Sequence, residues 1–527
     1  MRRNIARTIV TSIAILAIVM SSSLMAAVRL PGFFNDNMIL QRDIPAPLWG
    51  WADAGEEVTV EFAGQTKTVK TGADGKWMVK LDAMKASPEG RILKIAGKEI
   101  KNVVVGDIYI CSGQSNMEWS TGGSVNAKEE IENANYPLIR LVTTPRLQIP
   151  TPQDDVKAQW EECSPRTIGR FSAVGYFFGR KLHKETEIPI GLINSSWGGS
   201  RIEPWIPPEG FMLVPELKQI ADQVAASAPG SEAFKKRYQD YFNSLESWMP
   251  KAKAAVAEDK RPPSPPSAPH SKGLPFGATG MYNGKVHALA PFGIRGAIWY
   301  QGEANGGEGV EYFHKMQALI GGWRRVWNQG DFPFYFVQLA DFRGPNKNAG
   351  GGDGWAKHRE AQRQSLTIPR TGMAVITDIG NERDIHPKNK QDVGLRLALW
   401  ALANDYGKKN IVYSGPLYKG IKVEGNKIRV SFDHAGSGLM IGVRKNGLEP
   451  TKEAADGKLQ HFAVAGADKQ WHWADATIDA DGKTVLVSCE AVAEPVAVRY
   501  AFAQNPQGAN LYNKEGLPAS GFRTDNW

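Results

Sequence analysis

The sequence predicts an α/β fold, a doubly wound parallel sheet flanked by N- and C-terminal β regions. Three observations point there. Between residues 103 and 410, continuous apolar runs alternate with amphipathic helical stretches, the pattern of strands covered on both faces. Residues 28–102 carry short apolar runs divided by turns, with no helical period. From residue 411 to 527 the strand-and-turn pattern returns.

Taken in order, the chain opens with "MRRNIARTIVTSIAILAIVMSSSLMAAV". Arg2, Arg3 and Arg7 precede an apolar stretch, Ile9 to Met20, and small residues follow. Residues 1–27 therefore read as a secretory signal peptide; the apolar stretch is too short for a membrane span. The mature chain is expected to be exported, periplasmic or extracellular, with no span of its own. In residues 28–102, "APLWGWA", "EEVTVEFAG" and "RILKIAG" read as strands, and "TGADGKW" has the Asp-Gly chemistry of a hairpin turn.

The central region begins with the strand Val103 to Cys111 and continues through the helix "AVGYFFGRKLHKE" and the strand "IPIGLINSS". After an insertion at 207–272 come the strand "IRGAIWYQ", the helix "VEYFHKMQALIGGWRRVW" and the strand "PFYFVQLAD". The helix "GWAKHREAQRQSL", the strand "GMAVITDI" and the helix "NKQDVGLRLALWALAND" complete it. Such a sheet gathers ligands at the carboxyl ends of its strands. The insertion, helical in "SEAFKKRYQDYFNSLESWM" and stiffly extended in "KRPPSPPSAPH", reads as a surface excursion or lid.

Composition narrows the partners. The formal charge of +8 is spread without a basic run, so no nucleic-acid footprint is present. Three cysteines, Cys111, Cys163 and Cys489, are too few for a disulfide framework and leave either one bridge or free buried thiols. The 16 Trp lean toward flat apolar ligands such as sugar rings, though most of them fill cores. His287, His434 and His472 show no ligand spacing and no H-E-x-x-H motif occurs, so neither metal nor cofactor is expected.

Four strand ends carry residues with chemistry. The first gives Gly113-Gln114-Ser115-Asn116, the second Trp197-Gly198-Gly199, the third Gln301-Gly302-Glu303, and a later loop Asp384 and His386. Ester hydrolysis explains these types. A serine hydroxyl needs an imidazole to take its proton, and the imidazole needs a carboxylate to fix its tautomer. The oxyanion needs preplaced N–H donors, which glycine backbones and a Gln amide can supply.

Read together, "GDIYICSGQSNMEW", "NSSWGGSRIEPW", "WYQGEAN" and "DIHPKNKQDVGLRLA" resemble the sialate O-acetylesterase family of secreted SGNH-type hydrolases. "FNDNMILQRDIPAPLWGWADAGEEVTV" and "GFRTDNW" resemble that family's flanking regions, so the likeness covers most of the mature chain. The resemblance implies an SGNH-like α/β domain that deacetylates a carbohydrate through Ser115, with His386 as base and Asp384 as its partner. It places Gly198 or Gly199, and Gln301, in the oxyanion hole. Two departures from the broader SGNH pattern stand out. Gln301 replaces an Asn, and one residue rather than two separates the acid from the histidine, which keeps Asp378, Glu382 and Asp392 as alternative acids. Arg201 is a candidate grip for a sialic acid carboxylate, with Glu203 as its competing partner. Trp197 and Glu303 are further candidate substrate contacts, and Trp205 is sugar platform or packing. The alternatives to a sialate substrate are a plant polysaccharide such as acetylxylan, or sugar binding without catalysis.

Overall fold

The computed structural model describes residues 28–527 apart from 270–273, 446 and 455; the signal-peptide reading of residues 1–27 lies outside the described residues. At its centre is a sheet built from β1 (Lys98–Gly113), β2 (Tyr136–Thr143), β3 (Ile190–Ser196), β4 (Gly296–Tyr300), β5 (Phe334–Val337) and β6 (Thr371–Ala374). Their order across the sheet is β6-β5-β4-β1-β3-β2, all parallel, with the short strand Glu161–Cys163 antiparallel at the β2 edge.

The strands are apolar throughout because both faces are covered. Successive residues serve opposite layers: Ile110 and Trp299 join one core, Tyr109 and Ile298 the other. Helices Ala173–Thr186 and Lys390–Asn404 close the second layer through Phe178, Leu182, Val393 and Leu397. Helix Val310–Trp327 closes the first through Met316, Leu319 and Trp323. Its bounds are those the apolar period predicts.

The expected border between residues 102 and 103 is not a border in the fold. β1 runs unbroken through it, pairing first with Ser87–Ile95 and then with β3 and β4. The strands Ile39–Gln41, Glu57–Phe62, Gln65–Lys70 and Ser87–Ile95 thus belong to one eleven-stranded sheet with the core, while Ala46–Trp51 and Lys76–Leu81 pair apart from it. The Asp-Gly turn also differs from expectation. It forms, with Gly75 at φ 73°, but joins Gln65–Lys70 to Lys76–Leu81, which pair with different neighbours. Turn chemistry sets a local reversal; the apolar face of each strand chooses its partner.

The insertion is helical at Lys218–Ser227 and Glu232–Ala257, the latter continuing past Pro250 into an Ala-rich end. The C-terminal region is antiparallel, with its own core around Ile428, Val464, Val487 and Val498. Among the described residues no helix is long and apolar enough to cross a membrane.

Candidate active site

Ser115 stands where β1 hands over to the short helix α1 (Ser115–Glu118). The turn between them requires glycine: Gly113 has φ 135°, and a Cβ there would fall 2.1 Å from the Tyr300 carbonyl oxygen. The Gln114 N–H donates to that same oxygen at 3.0 Å, which locks the turn onto β4. Ser115 therefore leaves a rigid strand at a fixed angle. Its N–H, first in the helix, has no hydrogen-bond partner among the described residues.

His386 arrives on the loop after β6. Its Nε2 lies 2.9 Å from Ser115 Oγ, and its Nδ1 lies 3.2 Å from Asp384 Oδ1. The His386 backbone N–H donates to the same carboxylate oxygen at 2.9 Å. One intervening residue is enough, because the chain bends at Ile385 and His386 and turns the imidazole back onto the carboxylate two positions earlier. With Nδ1–H donated to Asp384, Nε2 is left bare to accept the serine proton. The Trp119 indole stacks on the imidazole at 5.2 Å and 23°. Helix Lys390–Asn404 begins three residues after Pro387, capped by Asn389, whose side chain accepts the Asp392 N–H.

The alternative acids are engaged elsewhere. Asp378 takes a two-pronged bond from Arg396 at 2.6 and 2.7 Å, Asp392 pairs with Asn389 and Arg444, and Glu382 with Arg383. Of the four carboxylates, Asp384 is the one that faces the imidazole.

The expected oxyanion donors are placed unequally. Gly198 lies against Ser115, whose Cβ is 3.4 Å from where a Gly198 Cβ would be, but the Gly198 N–H donates to Glu118 Oε2 at 2.9 Å. The Gly199 N–H has no partner among the described residues and the residue borders open space. Gln301 departs from expectation. Its amide is fully buried, with Nε2 facing Gln114 Oε1, Ser200 O and Asn305 Oδ1 at 3.1, 3.2 and 2.8 Å. Tyr312 OH lies 2.8 Å from its Oε1. Every polar atom of this amide is committed, so it stitches the loop after β4 to Gln114.

Arg201 departs as well. Its guanidinium bonds Glu203 through Nε and Nη2, Ala304 O through Nη1 at 3.0 Å, and Glu308. Lys315 joins the same acids, so Arg201 braces the loop and has no fork left for a ligand. Glu303 accepts from Asn116 Nδ2, and burial raises its carboxyl above the usual range. Trp197 remains at the rim, half-buried, its N–H donating to Gly113 O at 3.0 Å. Trp205 is packing, fully buried with its indole N–H on Ser200 Oγ.

Three participants, Lys390, Glu118 and Arg146, and the role of Asn116 escape a reading of the sequence. Asn116 clamps the histidine loop, donating to Ile385 O at 3.1 Å, and accepts from the buried Lys390, whose pKa burial lowers to about 7. Glu118, one helical turn from Ser115, holds both Gly198 and Arg146. Its spacing from Ser115 was the available signal; nothing local marks Lys390 or Arg146. Among the described residues, no three His, Cys, Asp or Glu side chains group as a metal site.

Residues 105–229 and 279–402 match the family model described as carbohydrate esterase, sialic acid-specific acetylesterase. The chain is 29% identical to the sialate O-acetylesterase of Rattus norvegicus, over 94% of this chain and 94% of that protein. The Homo sapiens sialate O-acetylesterase is 28% identical, over 94% and 92% respectively. A carbohydrate acetylesterase from Xanthomonas citri, solved by crystallography, superposes with a TM-score of 0.76 at 35% identity, covering 95% of this chain and all (100%) of that one. With its α/β core and flanking antiparallel sheets, the chain belongs to the sialic acid-specific acetylesterase family of carbohydrate esterases.

Proposed function

We propose that this carbohydrate esterase removes O-acetyl groups from sialic acids through Ser115, His386 and Asp384. The observation that carries the reading is the 2.9 Å approach of His386 Nε2 to Ser115 Oγ, with Asp384 behind the ring. Ser115 Oγ attacks the acetyl carbonyl carbon while Nε2 takes its proton. The N–H groups of Ser115 and Gly199, neither with a partner among the described residues, receive the oxyanion. Collapse expels the sugar oxygen, which takes the proton from His386 and leaves an acetyl-serine. Water, deprotonated by His386, attacks that ester, and acetate departs with Ser115 restored. Asp384 holds the imidazole and offsets its charge in both halves. The names of the rat and human relatives support the sialate substrate, and the N-terminal segment supports export.

Ser115→Ala is expected to abolish hydrolysis of a chromogenic acetate ester while circular dichroism stays that of the parent. Substantial turnover by the purified variant would remove Ser115 from the mechanism. A panel of O-acetylated sialosides beside acetylxylan tests the substrate, and preference for the polysaccharide would overturn the sialate reading.

A further inference from the structure

The cation that grips the carboxylate in a sialate pocket should lie at the rim with donors to spare, and Arg201 does not. The opposite wall offers another. We propose that Arg146 forms a carboxylate subsite beside the nucleophile, so that the preferred ligand is an O-acetylated sugar acid over a neutral sugar. The proposal rests on the sialate reading above and assigns its specificity to a residue.

Placement is the first argument. Arg146 lies three residues beyond the carboxyl end of β2, on the edge of the sheet from which Ser115 and the Trp197–Gly199 turn also leave. Its Nε and Nη2 donate to Glu118 Oε1 at 3.0 and 2.6 Å, and its guanidinium stands 5.9 Å from the Trp197 ring. The other oxygen of Glu118 holds the Gly198 N–H, and Gly198 touches Ser115. One glutamate and one glycine therefore link Arg146 to the nucleophile.

Availability is the second. The Arg146 side chain is 60% exposed, and its Nη1 has no hydrogen-bond partner among the described residues. A guanidinium presents its donors in one plane, so the free edge can still receive a carboxylate in a two-pronged bond.

Charge balance is the third. Lys285 reaches the same corner, buried, with Nζ on Ser196 O at 3.0 Å and 5.8 Å from the Trp197 ring. Burial lowers its pKa to about 8, Glu118 pulls the other way, and Arg146 lowers it further. Two cations thus share one carboxylate, Glu118, which is already spread over Arg146 and Gly198. A substrate carboxylate would supply the missing negative charge, whereas a neutral sugar would leave the imbalance in place.

The competing account is that Arg146 only braces Glu118, as exposed ion pairs often contribute little. Kinetics on an O-acetylated sialoside as the free acid and as its carboxyl methyl ester separates the two, because only the charge of the substrate changes. The parent should favour the acid by about 10- to 100-fold in kcat/KM, mostly through KM, the range for charged hydrogen bonds. In Arg146→Gln that preference should fall to about one, and Arg146→Lys should recover part of it. An unchanged preference in Arg146→Gln, or equal losses on both substrates, would make Arg146 a brace and overturn the proposal. Equal parental rates on acid and methyl ester would also overturn it while leaving the sialate reading intact. A parent that cleaves acetylxylan and no sialoside would instead fail the sialate reading, and the subsite with it.

Discussion

Asp384 meets His386 from a position in which its side chain is 40% exposed, against 27% for the imidazole. Water can reach this carboxylate, so it is a weaker orienting partner than a buried triad acid. The second bond, from the His386 backbone N–H, shows that the aspartate also shapes the loop. Asp384→Asn is expected to lower kcat by about 10²–10³, less than the ~10⁴ of a buried acid, because solvent partly replaces the charge. Asp378→Asn breaks the Arg396 pairing and should lower stability with little change in kcat per folded molecule. Parallel kcat and melting measurements check both, and a larger kcat loss from Asp378→Asn would reverse the assignment.

At the scale of elements, the loop after β4 is held from below by helix Gly354–Gln364. His358 on that helix is fully buried, its ring 4.0 Å from that of Tyr312. Gly302, at φ 155°, lets the loop pass over it, since a Cβ there would fall 2.6 Å from His358 Nε2. Burial lowers the His358 pKa from 6.5 to about 3. Between those values the unfolded chain binds a proton that the folded chain refuses. This part of the stability is thus full above pH 6.5 and drains as pH falls, by up to about 1.4 kcal/mol per pH unit. In urea titrations His358→Gln should therefore lose less stability than the parent between pH 6.5 and about 4.5. Equal slopes would mean that the folded protein accepts the proton.

For the whole molecule, the two-sided burial of the central sheet controls its thiols. Cys111 lies in β1 and Cys163 at the β2 edge, both buried, while Cys489 is half-buried in the C-terminal region, and all three are free. Burial raises the Cys111 thiol far above its ordinary range and that of Cys163 to about 12. Thiolate is the reactive form, so neither should react while the sheet is intact. Iodoacetamide at pH 8 is expected to label Cys489 alone in the native protein and all three in denaturant, as read by peptide mass spectrometry. Native labelling of Cys111 would mean that the sheet opens.

The sequence by itself determined what depends on near neighbours. The 3.6-residue period bounds Val310–Trp327, unbroken apolar runs mark strands buried on both faces, and Gly113 marks the tight turn that presents Ser115. The residue types for ester hydrolysis were legible for the same reason, since Ser115, Gly198 and Gln301 sit within two residues of strand ends and Asp384 and His386 stand together on one loop. Only the tertiary structure decided who meets whom. Gln301 is consumed by Gln114, 187 positions away, Lys390 by Asn116, 274 away, and Arg201 by Glu308, 107 away. Glu118 takes the Gly198 N–H, and the N–H groups of Gly199 and Ser115 are left without a partner among the described residues. A sequence states which donors and acceptors exist. Which of them remain free is set by distance in space, because a buried polar group takes the nearest partner the fold brings to it.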